Sequence, residues 1–422
     1  MKYSKQKLKN GLTIIQVPSS DAESVVVDFF VKTGSRSETE KENGISHFLE
    51  HFLFKGTKKY PNALAISTLV DSIGGEMNAN TGKEHTQFYI KAASQHLPLI
   101  FEVLTDMIQN PLLDEVELEK EKGVIVEEIN MYKDAPMYEV DNILEGAMWP
   151  QDPLGRDIAG TKDTVTKFNP QMFRDYMNRH YQTTNMLLGI SGKYDQKKLN
   201  ALISKYWLKY PKAKAGGWQK VKDGQNTPRL KLEFKQTEQA HLAFGFKGLS
   251  YSDKRLAVQS VLSAVLSGGM SGRLFMEVRE KRGLAYYVRA SGGAYQDTGG
   301  YSINAGVQVG KIEEAITTIL QVLEYIKNTK VGVEELSKAK EYIKGKTALA
   351  LEDNQVRLDW FLEREAFYPK ILTPKEALKK IEAVTAADVQ KLAKKLFNMN
   401  KLSLAIIGPY KDEKVFQALL KI

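Results

Sequence analysis

The sequence predicts an α+β protein of two homologous α/β-sandwich domains, each a mixed or antiparallel sheet with helices packed on one face. Three observations lead there. The 422-residue length exceeds what one hydrophobic core ordinarily serves. The stretch Tyr210 to Pro228, YPKAKAGGWQKVKDGQNTP, mixes Pro, Gly and Lys without apolar periodicity and reads as a linker. The segments on either side also repeat the same kinds of element in the same order. The predicted division is a first domain over residues 1–212, a linker over 213–227 and a homologous second domain over 228–422.

The elements follow in parallel. LTIIQVP and SVVVDFFVKTG open the first half with β-patterned runs, and RLKLEFKQ and AHLAFGFKG open the second. QHLPLIFEVLTDMIQNPLLDEVELEKEKGVIVEEI then matches GKIEEAITTILQVLEYIKNTKVGVEELSKAKEYIKGKT: an amphipathic helix, a break and a charged helix. NPQMFRDYMNRHYQTTNMLLGISGKYD matches TAADVQKLAKKLFNMNKLSLAIIGPYKD, a helix followed by an apolar strand ending at a Gly turn. Strands and helices interleave without regular βαβ spacing, which favours mixed or antiparallel sheets.

Composition narrows the function. With 42% hydrophobic and 26% charged residues, the chain has the make-up of a packed globular protein. It contains no cysteine, which excludes disulfides and thiolate chemistry and leaves His, Asp and Glu as the strong metal ligands. The net charge of +9 comes from lysines interspersed with glutamates, as in ELEKEKG, and no nucleic-acid motif accompanies it. The amino terminus has no signal-peptide core, and no run approaches the roughly 20 apolar residues of a membrane helix. The expectation is a cytoplasmic protein with neither nucleic-acid nor membrane partners.

The informative stretch is GISHFLEHFLF. Its apolar residues Phe48, Leu49, Phe52, Leu53 and Phe54 predict a short buried helix from Gly44. On that helix His47 and His51 share a face one turn apart, with Glu50 beside them. Two imidazoles so spaced can hold one zinc ion, and Glu50 can serve as general base to a water on it. With 6 His and 51 Asp plus Glu in the chain, chance supplies at most about 0.01 such triplets. A third ligand is expected from DEVELEKEKGVIVEEINMY, where Glu121 and Glu128 lie two turns apart on one face beside Val124 and Ile125. Physical reasoning leaves Glu127 and Glu128 both open.

His-x-x-Glu-His is the inverted zinc signature, and the sequence around it resembles the pitrilysin/insulysin-type inverzincin metallopeptidases over nearly the whole chain. The resemblance is nearest to the half-length bacterial members and the mitochondrial processing peptidase β-subunit. It implies a zinc metalloendopeptidase with one zinc per chain, held by His47, His51 and Glu128, the last 77 positions after His51. It also implies that Glu50 is the general base, that Glu121 supports a ligand, and that zinc lies in the first domain only. The second half carries VLSGGMSGRLFMEVREKRGLAYYVRASGGAY without histidine, and its Arg279 and Tyr286 match the spacing of the family's Arg/Tyr motif, with Tyr287 as competitor. An Arg and a Tyr so used donate to the developing oxyanion. In GGEMNANTGKEHTQFYI, Asn78, Ala79, Asn80 and Thr81 fit the family's edge strand, onto which an extended peptide substrate adds. Half-length members imply a homodimer forming a closed chamber, with Arg279 and Tyr286 serving the partner chain. The alternative within the family is a catalytically silent or partner-dependent peptide-binding subunit.

Overall fold

Runs of β-branched and aromatic residues build two sheets in the structure, a computed structural model that describes residues 1–213, 215–222 and 224–420. Strands β1 (Ser4–Lys7), β2 (Thr13–Pro18), β3 (Ser24–Val31), β4 (Glu76–Thr81), β5 (Thr86–Ala93) and β6 (Met186–Gly192) form the first, in the order β1-β2-β6-β3-β5-β4. Strands β7 (Arg229–Phe234), β8 (Gln239–Lys247), β9 (Ala285–Ala294), β10 (Gly299–Gln308) and β11 (Ser403–Gly408) form the second, in the order β7-β11-β8-β10-β9. If β1 is set aside, both sheets have the same order. Each also holds one parallel pair at the same place, β2 with β6 and β7 with β11, and is otherwise antiparallel. The fold is α+β, and the repeat read in the sequence is a repeat of topology.

The compact units are not the linear halves. One comprises Met1–Met131, Arg156–Gln219 and Ala350–Ala366; the other comprises Tyr132–Gly155, Lys220–Leu349 and the chain from Phe367. Each half of the sequence therefore gives one helix to the unit built mainly from the other half. Pro136–Met148 packs Val140, Leu144 and Met148 against Ala243, Ala405 and Ile407 of the second sheet. Asn354–Phe367 does the same on the first sheet, where it buries Leu358, Phe361 and Leu362. This differs from helices packed on one face, and the reason is visible in β3. Seven of its eight residues are buried, so both faces of the strand need cover. Val25, Val27, Phe29 and Val31 point into the main core, while Asp28 lies under the donated helix. Within the predicted linker 213–227, Lys214 and Asp223 lie outside the described residues, and the remainder has no helix or strand.

Polar and apolar contacts both seat the helix Asn354–Phe367. The side-chain amide of Gln87 donates to Asp28 Oδ2 and to Asp359 Oδ1 at 2.6 Å each. Gln355 Nε2 donates to the same two oxygens at 2.8 and 2.9 Å. Burial, and then the charge of Asp359, pushes the Asp28 carboxyl well above the ordinary range. A register slip of the helix would break the two bonds that cross the seam, Gln87 to Asp359 and Gln355 to Asp28, so the cluster favours this seating as well as contributing to it. Among the described residues no helix is long and apolar enough to cross a membrane.

Gly189 in β6 leaves the space that the donated helix fills. A Cβ there would lie 2.9 Å from the Leu358 and Leu362 Cδ1 atoms. Gly189→Val is expected to overpack this seam and destabilise the protein by roughly 1–3 kcal/mol in urea denaturation. A variant as stable as the parent would show that the helix does not sit this close.

Candidate metal centre

The helix Ile45–Phe52 presents both histidines of the motif. It begins at Gly44, whose φ of 96° places it in the left-handed region and where a side chain would run into the Ala159 carbonyl oxygen at 2.6 Å. The N–H groups of its first turn are buried and need acceptors. Glu38 supplies them: its Oε2 accepts from Gly44 N and its Oε1 from Ser46 N, each at 2.9 Å. Asn43 Nδ2 adds a bond to Oε2 at 3.2 Å. Burial raises the Glu38 carboxyl to about 7 despite these donors. On the apolar side, Phe48 and Phe52 pack against Phe173 at ring separations of 5.0 and 5.1 Å, and Phe168 closes on Phe48. These contacts leave His47, Glu50 and His51 on the opposite, partly open side.

A second helix, Glu115–Asp134, brings the carboxylates. His47 Nε2 lies 3.6 Å from Glu128 Oε1, and His51 Nε2 lies 3.5 Å from Glu128 Oε2. One ligand atom from each of His47, His51 and Glu128 falls within 4.8 Å of the others. Bonds of about 2.0–2.2 Å to a tetrahedral zinc set neighbouring donors about 3.4 Å apart, close to the two His–Glu128 separations here. The charges agree with that fit. Burial opposes a charged His47, but the neighbouring Glu128 carboxylate overrides it and lifts the imidazole above its ordinary value. The His47 hydrogen bond in turn holds the Glu128 carboxyl below its own. A divalent cation and protons would compete for this pocket of negative potential.

Glu121 stands behind His51. It is 3% exposed; its Oε1 accepts a hydrogen bond from His51 Nδ1 at 2.9 Å, and its Oε2 pairs with Lys55 Nζ at 2.6 Å. This bond assigns the Nδ1–H tautomer to His51 and leaves Nε2 as the ligand atom facing Glu128. Glu127 is exposed and, among the described residues, accepts only from its helix neighbour Asn130, at 3.4 Å. Of the two residues that spacing alone left open, Glu128 is the one that lies beside both histidines. Glu50 is held by the Thr81 hydroxyl, which donates to its Oε2 at 2.6 Å.

The other expected residues are distributed as follows. Strand β4 is the last of its sheet among the described residues. Its side chains alternate: Met77 and Ala79 pack on the core, and Glu76, Asn78 and Asn80 are exposed. Arg279 and Tyr286 belong to the second unit. Arg279 is exposed on the π-helical turn Phe275–Glu280, its guanidinium 5.0 Å from the Phe275 ring, and Tyr286 is 55% exposed on edge strand β9. The rival Tyr287 faces the other way, its hydroxyl 3.1 Å from His241 Nδ1 and its ring against Gly306. The remaining histidines join no ligand cluster among the described residues. His85 stacks on Phe30, and burial lowers it to about 4. Glu38 and Lys55 were not singled out from the sequence, because isolated charged residues carry no spacing signal; an acidic residue shortly before a glycine-started apolar helix was the only hint.

Comparison with known proteins accords with this geometry. Residues 14–162 match the family model described as insulinase (peptidase family M16), and residues 167–343 match the one described as the peptidase M16 inactive domain. The uncharacterized zinc protease YmxG of Bacillus subtilis is 37% identical over 402 residues, spanning 95% of this chain and 97% of that one. An uncharacterized zinc protease of Streptomyces coelicolor is 33% identical over 96% of this chain and 90% of its own. Among solved structures, a protease from Helicobacter pylori superposes with a TM-score of 0.90 at 22% identity, covering 97% of this chain and 100% of that one, and shares the fold. With the family models, the full-length relatives and the shared architecture in agreement, the chain belongs to the M16 family of peptidases.

Proposed function

We propose that the protein is a zinc-dependent endopeptidase acting on extended peptides or unfolded segments. The observation that carries this reading is the convergence of His47, His51 and Glu128 with Glu50 on the same helix face. A zinc ion held by those three residues would supply Lewis acidity, making a water acidic at neutral pH and drawing charge from the scissile carbonyl. Glu50 takes the proton from the attacking water and later delivers it to the leaving amine, so one carboxylate serves as base and then acid. Glu121 and Lys55 keep His51 in the tautomer that binds metal. The outer edge of β4, where the Asn78 side chain now occupies the Ala79 N–H at 2.8 Å, would offer main-chain groups to an added strand, a mode that selects extended conformation more than sequence.

We read Arg279 and Tyr286 as donors to the carbonyl oxygen as it becomes anionic, supplied by a second copy of the chain in a homodimer. Their exposure, with Tyr287 engaged elsewhere, supports Tyr286 over its neighbour.

Two measurements test this. Glu50→Gln is expected to retain zinc while hydrolysis of a quenched mixed-sequence peptide library falls by roughly 100- to 10,000-fold. Zinc-loaded wild type without turnover would favour a peptide-binding subunit. Mixing Glu50→Gln with Tyr286→Phe chains should restore activity absent from either alone. If subunits demonstrably exchange and no activity returns, the shared site is wrong.

A further inference from the structure

The end of β4 is tied to the metal helix by one side chain. Thr81 points to the same side of the strand as Met77 and Ala79, and its hydroxyl lies 2.6 Å from Glu50 Oε2 and 3.5 Å from the Ser46 carbonyl oxygen. A hydroxyl has one proton, and the short contact shows where it goes: to the carboxylate, in a charge-assisted bond. Thr81 itself is fixed. It pairs with Thr86 at the end of the β4–β5 ladder, and the tight turn behind it is closed by Gly82 N donating to His85 O at 2.8 Å. Glu50 stands at the partly open side of its helix, where an unrestrained carboxylate side chain would sample several rotamers.

We infer that Thr81 is a positioning residue for the proton-transferring carboxylate, fixing Glu50 Oε2 so that Oε1 is the oxygen presented to water. The inference rests on the peptidase reading above and refines the role of this strand within it. Thr81 belongs to the stretch expected to receive an extended peptide as an added strand. Its side chain turns away from that edge to Glu50, while its main chain remains part of the edge. Substrate docking and base orientation therefore share one residue, and an extended peptide paired along β4 stiffens the same segment that holds Glu50.

The test compares Thr81→Val, which keeps the shape and removes the hydroxyl, with Thr81→Ser, which restores the donor. Zinc content, melting temperature, kcat and KM are measured on one quenched peptide. Thr81→Val is expected to lower kcat by about 10- to 100-fold, with KM and zinc content within about twofold of wild type, and Thr81→Ser to recover most of the loss. A Thr81→Val enzyme with wild-type kcat, or a Thr81→Ser enzyme as slow as Thr81→Val, overturns the inference. Failure of the peptidase reading would look different: zinc-loaded wild type would not cleave the peptide, or Glu50→Gln would cleave it as fast as wild type.

Discussion

An eight-residue helix is too short to hold its shape in water, so Ile45–Phe52 depends on what binds its ends and its apolar side. The Glu38 carboxylate, 3% exposed, receives the two N–H groups that open the helix, and burial lifts its pKa to about 7 even with those donors in place. Phe48 and Phe52, set in an aromatic cluster, fix the rotation of the helix. Once rotation and origin are fixed, His47, Glu50 and His51 have a single direction in which to point. The candidate metal site follows from that constraint, since Glu128 and Glu121 need only arrive on one face of the facing helix.

Duplication supplied the frame, and helix donation finished it. A sheet with helices on one face leaves its other face in need of cover, and each unit receives that cover from a helix encoded in the opposite half of the sequence. Apolar side chains do most of the sealing on the second sheet. On the first, Asp28, Gln87, Gln355 and Asp359 add a polar lock that tolerates one register. Neither half of the sequence can complete its own unit alone.

Much of this was legible in the sequence where a pattern has a period. Alternating and continuous apolar runs marked the strands, and the repeated blocks marked the duplication. His47 and His51 announced themselves by helical spacing with Glu50 between. Helix donation was hidden, because Pro136–Met148 and Asn354–Phe367 carry ordinary amphipathic patterns that do not say which sheet they cover. Glu127 and Glu128 differ by one position, and only the rotation of the helix separates an exposed carboxylate from one that faces both histidines. Thr81 read as a small polar residue, and nothing in its neighbours foretold its bond to Glu50.

Zinc content per chain, measured by mass spectrometry on purified wild type, Glu128→Gln, Glu127→Gln and Glu121→Ala, tests the central claim most directly. One zinc in wild type and in Glu127→Gln, none in Glu128→Gln, and an affinity about 10- to 100-fold weaker in Glu121→Ala are the predicted results. Full zinc in Glu128→Gln, or its loss in Glu127→Gln, would contradict the assignment of His47, His51 and Glu128 as the metal site.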